Sequence, residues 1–319
     1  MSDQLVPLRL PPVVPGRRIV GYSAVLLPHT DTAEVDWDGF ESLLGRTLGA
    51  GLIPAVNMDT GYVQLLTEAD RTRVLTVAVS LAGAGGFAAG AFVADGEGDA
   101  YDHDAYARAM AEVSEAGGTP VLFPSWGLAA LDEAEWVAAQ ERLGSGVDRF
   151  IAFELGDMFV PYGRIYSLDA YRGLMGIPSC IGAKHSSLSR QAEWARLALR
   201  NEVRSEFSVF TGNDLAIDMV RYGSDYLLGL SAFAPDAFAE RDRRWAAEET
   251  SFDELNDLLQ YLGFFAFRPP VPVYRHDAAM FLKLRGWIDS DATPVGAPQR
   301  PDADREVLAD IAGRLTDVL

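Results

Sequence analysis

The feature that most constrains the fold is a regular alternation of short apolar runs with amphipathic windows. Eight runs of strand length occupy residues 19–234, and the windows between them place apolar residues at helical spacing. Nearly continuous apolar strands that alternate with helices are typical of a parallel sheet covered on both faces. Eight such units predict an α/β fold, a (β/α)8 TIM barrel. The predicted strands are residues 19–27, 52–58, 86–94, 120–125, 149–155, 180–186, 207–212 and 226–233.

Three regions are predicted along the chain. Residues 1–18 form a proline-rich N-terminal leader, residues 19–234 the barrel, and residues 235–319 a C-terminal helical extension of about three helices. The extension is interrupted by the segments RPPVPV and SDATPVGAPQRP. A length of 319 residues suits one barrel with an appendage.

The net charge and the hydropathy pattern of the chain restrict which kinds of partner it can bind. A net charge of -19 argues against binding to nucleic acid or to anionic membranes, which need clustered cations. No apolar run approaches the roughly 18 residues of a membrane span, and the N-terminus lacks the pattern of a signal peptide, so we expect a cytoplasmic protein. The single cysteine, Cys180, lies in an apolar run and is expected to pack in the core.

One lysine is conspicuous among the polar residues that follow the predicted strands, where TIM barrels place their active sites. The chain has 27 Lys and Arg residues, but lysine occurs only at Lys184 and Lys283. Burial at a strand end lowers the pKa of a lysine and yields a neutral amine that attacks carbonyl groups, whereas arginine does not deprotonate. The alternative is that Lys184 lies at the barrel rim or pairs with Glu154 or Asp59.

These residues carry a family resemblance. The segment CIGAKHSSL resembles the Schiff-base lysine strand of the dihydrodipicolinate synthase and N-acetylneuraminate lyase family. The segments FSVFTGNDLAIDMVRYGSDYLLGLSAF, IPAVNMDTGYVQLL and VPVYRHDAAMFLKLRGW resemble its other elements, in the same order along the chain. The resemblance implies a divergent class I aldolase in which Lys184 forms an imine with a small carbonyl substrate. It also implies no cofactor, no metal and a homo-oligomer, a dimer or a tetramer.

The turn after the second predicted strand departs from the family pattern. The family's usual Gly-Thr-Thr-Gly-Glu turn binds the carboxylate of a 2-oxo acid. The segment MDTGY resembles this turn: Asp59 stands in place of the first threonine, and Thr60 and Gly61 match the threonine and glycine that follow. We predict that all three residues bind substrate. Two carboxylates side by side repel each other, so a pyruvate-type acid bound in the usual way is not expected.

The residue that transfers protons in this family is also replaced. The family's tyrosine at the end of the fourth strand is replaced in FPSWG by Ser125 and Trp126, and an indole nitrogen only donates hydrogen bonds. Glu154, one strand from Lys184, is the predicted general acid and base; the alternative is an ion pair with Lys184 or Arg164. The other predicted substrate-binding residues are Ser125, Trp126, Thr211 and Ser231.

The residues are also compatible with two other functions. Asp59 and Trp126 suit the hydroxyls and ring of a neutral sugar-like ligand, in an acid–base enzyme or one with a divalent ion on Asp59, Glu154 and Asp214. The altered turn and the missing tyrosine also suit a catalytically inactive barrel that acts as a binding or regulatory protein.

Overall fold

Eight parallel strands close into a barrel in a computed structural model, which describes residues 10–319. The strands pair in the order of the sequence, and the first pairs with the eighth. The predicted TIM barrel is therefore confirmed. The strands are β1 Gly21–Ala24, β2 Ile53–Val56, β3 Ala88–Ala91, β4 Thr119–Leu122, β5 Phe150–Leu155, β6 Cys180–Ser186, β7 Ser208–Thr211 and β8 Asp225–Leu228.

Helices connect the strands and form the outer layer. Most begin at a residue whose side chain caps the free N–H groups; Thr67, for example, forms a capping box with Asp70 at the start of α2. The α-helices of the described chain are α1 Trp37–Gly49, α2 Glu68–Ala82, α3 His103–Glu115, α4 Trp126–Ala130, α5 Glu133–Gly144, α6 Leu168–Met175, α7 Arg190–Val203, α8 Pro235–Ala246, α9 Phe252–Ala266, α10 Tyr274–Leu284 and α11 Asp304–Val318.

The C-terminal region contains four of these helices. The first, α8, contacts α1 and so completes the ring of helices around the barrel, while α9, α10 and α11 pack on one another beyond it. Within residues 10–319 no helix is both long and apolar enough to cross a bilayer. Of the predicted leader, residues 1–9 lie outside the described residues.

The barrel interior is filled by inward-pointing side chains of alternate strand positions. Its apolar cluster includes Tyr22, Val121, Phe153, Phe210 and Leu227. Residues paired across neighbouring strands point to the same side, and successive residues alternate between the two sides. This parity decides which side chains at the strand ends reach the interior and which face the helices.

Candidate active site

Lys184 lies inside the barrel. It pairs in register with Phe153 of β5 and Phe210 of β7, both members of the interior cluster. Its side chain is 5% exposed, and its Nζ lies 4.4 Å from the centroid of the Phe153 ring. Burial lowers the pKa of Lys184, and the carboxyl groups of Asp59 and Asp214 act in the opposite direction. The amine is therefore easier to deprotonate than a surface lysine.

The chain leaves room for this side chain at Gly212, which follows β7. A Cβ at position 212 would lie 2.9 Å from Lys184 Cε and would overlap Ser186 Oγ. Any larger residue at position 212 would displace the lysine. The glycine thus leaves space for the Lys184 and Ser186 side chains in the positions they occupy.

Asp59 and Thr60 lie at the barrel mouth, in a short 3-10 turn after β2 that spans Asp59–Gly61. The hydroxyl of Tyr274 donates to Asp59 Oδ2 at 3.0 Å and lies 2.7 Å from Thr60 Oγ1. Two non-glycine residues with positive φ flank the turn, Asn57 at 50° and Tyr62 at 57°. Such strained conformations are concentrated at functional sites.

Tyr274 is a site residue that sequence reasoning missed. It begins α10, far along the chain from the barrel strands, and its ring stacks on Phe267 with centroids 4.2 Å apart. Burial raises the pKa of Tyr274 well above the ordinary value, and the Asp59 carboxylate adds to this, so the phenol stays protonated at neutral pH. The neighbouring Arg275 donates from Nη1 to the Asp59 carbonyl oxygen at 2.9 Å. The C-terminal extension thus supplies a hydroxyl donor to the altered turn.

Asp214 is the second carboxyl group that acts on Lys184. It is buried, and its Oδ1 accepts from the Leu230 N–H at 2.7 Å. Burial raises the pKa of Asp214 to about 7, although the Leu230 N–H and the charge of Lys184 act to lower it. Asp214 therefore changes its charge near neutral pH, within electrostatic range of the amine.

We expect Asp214→Asn to change how stability depends on pH. The pKa of Asp214 is about 7 in the folded protein and 3.8 in the unfolded chain, so between these pH values the folded state holds a proton that the unfolded state has lost. The contribution of Asp214 to the free energy of unfolding is therefore full below pH 3.8 and is lost as pH rises through about 7. The free energy of unfolding of Asp214→Asn minus that of the wild type should rise by a few kcal/mol, on the order given by linkage, between about pH 4 and pH 8. Urea titrations across this range measure it, and a constant difference would contradict the assignment.

Glu154 is not brought to Lys184, and the predicted proton transfer between them is wrong in geometry. Glu154 pairs in register with His185, so both face the outer helices while Lys184 faces the interior. Its carboxylate accepts two hydrogen bonds from Arg196 at 2.7 Å, one from the Tyr166 N–H at 3.0 Å and one from His185 Nδ1 at 2.9 Å. The alternative prediction, that Glu154 forms an ion pair, is correct in kind, but its partner is Arg196 of α7 and not Lys184 or Arg164.

This outer network ties three elements together. Burial raises the pKa of Glu154, but His185 and Arg196 outweigh it and bring the pKa to about 2. His185 Nε2 lies 2.7 Å from the hydroxyl of Ser187, which also accepts from the Ser189 N–H at the start of α7. Both ring nitrogens of His185 are therefore occupied, and the network links β5, β6 and α7.

The other predicted substrate-binding residues fall into different environments. Thr211 faces outward, where its hydroxyl donates to the buried Glu193, and Ser231 donates back to the Leu228 carbonyl oxygen. Ser125 accepts from the Leu128 N–H and caps α4. These three hydroxyls are used within the protein, and we do not assign them to substrate.

Trp126 and Gly61 lie behind the residues that line the pocket. The Trp126 ring packs against Tyr162, with ring centroids 5.1 Å apart, and Tyr162 lines the pocket. Gly61 is buried, and a Cβ there would meet the Val25 carbonyl oxygen at 3.4 Å, so it faces the segment that follows β1. Trp126 is thus an outer part of the pocket wall.

A pocket of about 150 Å³ opens at the barrel mouth beside Asp59 and Tyr274. Apolar side chains from the ends of β3, β4 and β5 and the loops after them, and from the segment before α10, form most of its wall. They are Phe92, Phe123, Leu155, Phe159, Val160 and Pro272. The pocket adjoins the surroundings of Lys184, because Phe123, which lines it, packs against Phe153, and Lys184 Nζ lies 4.4 Å from the centroid of the Phe153 ring.

The predicted metal alternative has no support in the part of the chain that the structure describes. There, no group of three or more His, Cys, Asp or Glu side chains is arranged to hold an ion. Asp59 and Asp214 act on Lys184 inside the barrel, whereas Glu154 lies on its outer face. The three predicted ligands therefore do not converge.

Comparison with solved structures finds this fold in dihydrodipicolinate synthases. The enzyme from Thermotoga maritima has a TM-score of 0.78 at 16% identity, over 95% of this chain and 100% of that one. A monomeric dihydrodipicolinate synthase variant has a TM-score of 0.78 at 16% identity, over 95% and 98% of the two chains. A prophage protein of the dihydrodipicolinic acid synthase family from E. coli K12, in complex with pyruvate, has a TM-score of 0.74 at 15% identity, over 93% and 98%.

The similarity extends over nearly the whole of both chains. It confirms the resemblance seen in the sequence at the level of the fold, including the helical extension after the barrel. No protein-family model matches the sequence, and no curated protein matches it significantly. The chain is therefore a far-diverged representative of this barrel architecture.

Proposed function

We propose that the protein is a lyase or aldolase in which Lys184 forms a Schiff base with a small carbonyl compound. The single observation that supports this most is the buried amine of Lys184, inside the barrel on β6, with its pKa lowered by burial. A desolvated amine has a larger neutral fraction at physiological pH, and only the neutral form attacks a carbonyl carbon. The chain keeps a lysine here although it uses arginine for nearly all its other cations.

The reaction begins when Lys184 Nζ adds to the carbonyl carbon. The adduct loses water to give an iminium ion, which accepts the electron pair of a neighbouring C–C or C–H bond as that bond breaks. The resulting enamine takes up a proton, or adds to a second carbonyl compound, and water then hydrolyses the imine and restores the amine. Cleavage, condensation and dehydration all use this intermediate.

The proton at the neighbouring carbon is assigned to the pair formed by Asp59 and Tyr274. The carboxylate lies within electrostatic reach of Lys184, and the phenol is hydrogen-bonded to it at 3.0 Å. Asp59 accepts the proton, while the single O–H of Tyr274 holds the carboxylate in place. This pair takes the role that the sequence prediction gave to Glu154.

The proposal is tested by hydrogen exchange in a simple ketone. Incubation with acetone in D2O should replace its methyl hydrogens by deuterium faster than buffer alone, because each imine–enamine cycle exchanges one of them. Proton NMR measures the rate. An exchange rate equal to that of buffer with free Nα-acetyllysine would contradict the proposal.

We expect Tyr274→Phe to slow this exchange by about 10²-fold, because Asp59 loses the hydrogen bond that holds it in position. The phenyl ring keeps its stacking on Phe267, so the fold should be retained. Tyr162→Phe, which removes a hydroxyl from the same pocket, is the matched control and should change the rate by less than a few-fold. Equal effects of the two variants would exclude the assigned role of Tyr274.

A second candidate is a binding protein without turnover. The observation that favours it is the low exposure of Lys184, 5%, beneath the Phe153 ring. In that case carbonyl ligands should raise the melting temperature while acetone exchange stays at the background rate. Exchange above background would exclude this candidate.

A further inference from the structure

Three phenylalanine rings connect the pocket to the Lys184 amine. Phe92 and Phe123 lie edge to face with centroids 6.1 Å apart, and Phe123 and Phe153 do the same at 5.2 Å. Lys184 Nζ then lies 4.4 Å from the centroid of Phe153. We call Phe92, Phe123 and Phe153 the aromatic track. The side chains between the pocket and the amine are therefore apolar.

The size of the pocket limits what it holds. A cavity of about 150 Å³ with apolar walls is of the size that accommodates one benzene ring. Phe159 and Val160, on the loop after β5, pack against the interior cluster and form the wall beside the track. Burial of a ring there removes apolar surface from water, which favours binding.

The charges at the pocket are unfavourable for an acid. In the described part of the chain, Asp59 and Arg275 are the charged residues that line it. Arg275 donates from Nε to the Pro272 carbonyl oxygen and from Nη1 to that of Asp59, and its guanidinium lies 4.8 Å from the centroid of the Tyr62 ring. The guanidinium keeps its charge, but two of its N–H groups are bound to main-chain carbonyl oxygens, and the Asp59 carboxylate in the same lining offsets that charge and repels an anionic substrate group.

We infer that the carbonyl substrate is an uncharged aldehyde or ketone that carries a breakable C–H or C–C bond at the carbon next to the carbonyl, and whose body is a single aromatic ring, or an alkyl group of that size, seated against the aromatic track. The inference rests on the proposed imine chemistry and specifies the compound that Lys184 attacks. It accounts for Asp59 at the turn, because a substrate without a carboxylate needs no anion-binding group there.

The test uses three carbonyl probes with borohydride reduction and peptide mapping. Benzaldehyde supplies a ring without charge, pyruvate a carboxylate without a ring, and acetaldehyde neither. Adduct at Lys184 is divided by adduct at Lys283 in the same sample, which corrects for the different reactivities of the probes. We expect this ratio to be at least about tenfold higher for benzaldehyde than for pyruvate.

The variant Val160→Asp places a charge in the pocket wall, away from the amine. It should lower the benzaldehyde ratio at least about tenfold relative to the acetaldehyde ratio of the same variant, and a cooperative urea transition shows that the variant is folded. A pyruvate ratio equal to or above that of benzaldehyde would overturn the inference and leave the proposed function standing. Absence of any adduct at Lys184 with all three probes would overturn both.

Discussion

Lys184→Met should bring acetone exchange to the level of buffer and reduce borohydride trapping to the background that Lys283 gives. Methionine fills the space of the lysine stem but has no nucleophile, and the proposed cycle has no other amine at the site. Removal of a desolvated amine among aromatic rings should leave the melting temperature equal to that of the wild type or higher. Loss of activity together with retained stability would locate the chemistry at this side chain.

Lys283→Met is the matched control for this variant. Lys283 is the other lysine of the sequence, and it pairs with Asp291 at 3.0 Å near the surface. Its replacement should leave the exchange rate within a factor of two of the wild-type rate. Exchange that survives in Lys184→Met but falls in Lys283→Met would place the amine elsewhere than we propose.

Glu154→Gln should have the largest effect on stability and a small one on chemistry. The carboxylate is fully buried and holds the 3% exposed Arg196 with two hydrogen bonds, so a neutral amide leaves a buried cation uncompensated. Breaking a buried ion pair from one side costs about 3–5 kcal/mol of unfolding free energy. Urea denaturation measures the loss, and trapping at Lys184 in the folded variant should change by less than a few-fold.

The pH dependence gives this variant a second readout. The pKa of Glu154 is about 2 in the folded protein, below its ordinary 4.5, so the stabilisation is present above pH 4.5 and is lost as pH falls toward 2. The difference between the wild type and Glu154→Gln should shrink over that range. Glu202→Gln, which breaks the exposed pair with Arg172 at 3.3 Å, is the control and should cost about 1 kcal/mol or less. Loss of exchange in Glu154→Gln without loss of stability would return Glu154 to the active site.

The barrel and its lysine were predictable because both depend on local patterns. Apolar runs separated by capped helical windows specify parallel strands covered by helices, and the predicted runs overlap all eight strands. Lys184 stands out by residue type and by its place on β6. Such features need no knowledge of which distant segments meet.

The catalytic partners were harder because they depend on strand parity and on tertiary packing. Glu154 lies one strand from Lys184, but it pairs with His185, and a shift of one residue turns a side chain from the interior to the outer layer. Tyr274 follows a proline-rich break and begins an ordinary helix, and only the packing of the C-terminal extension brings its hydroxyl to Asp59. The order and spacing of residues in the segment VPVYRHD do not indicate the contact between Tyr274 and Asp59.

The most direct test of the central claim is the position of the covalent adduct. Borohydride reduction of the protein with a panel of aldehydes and ketones, followed by peptide mapping, identifies which amine forms the imine. We predict a reduced adduct on the peptide that contains Lys184, at many times the yield found at Lys283. No adduct at Lys184 with any compound, while a dihydrodipicolinate synthase treated in parallel with pyruvate is trapped, would contradict the Schiff-base account.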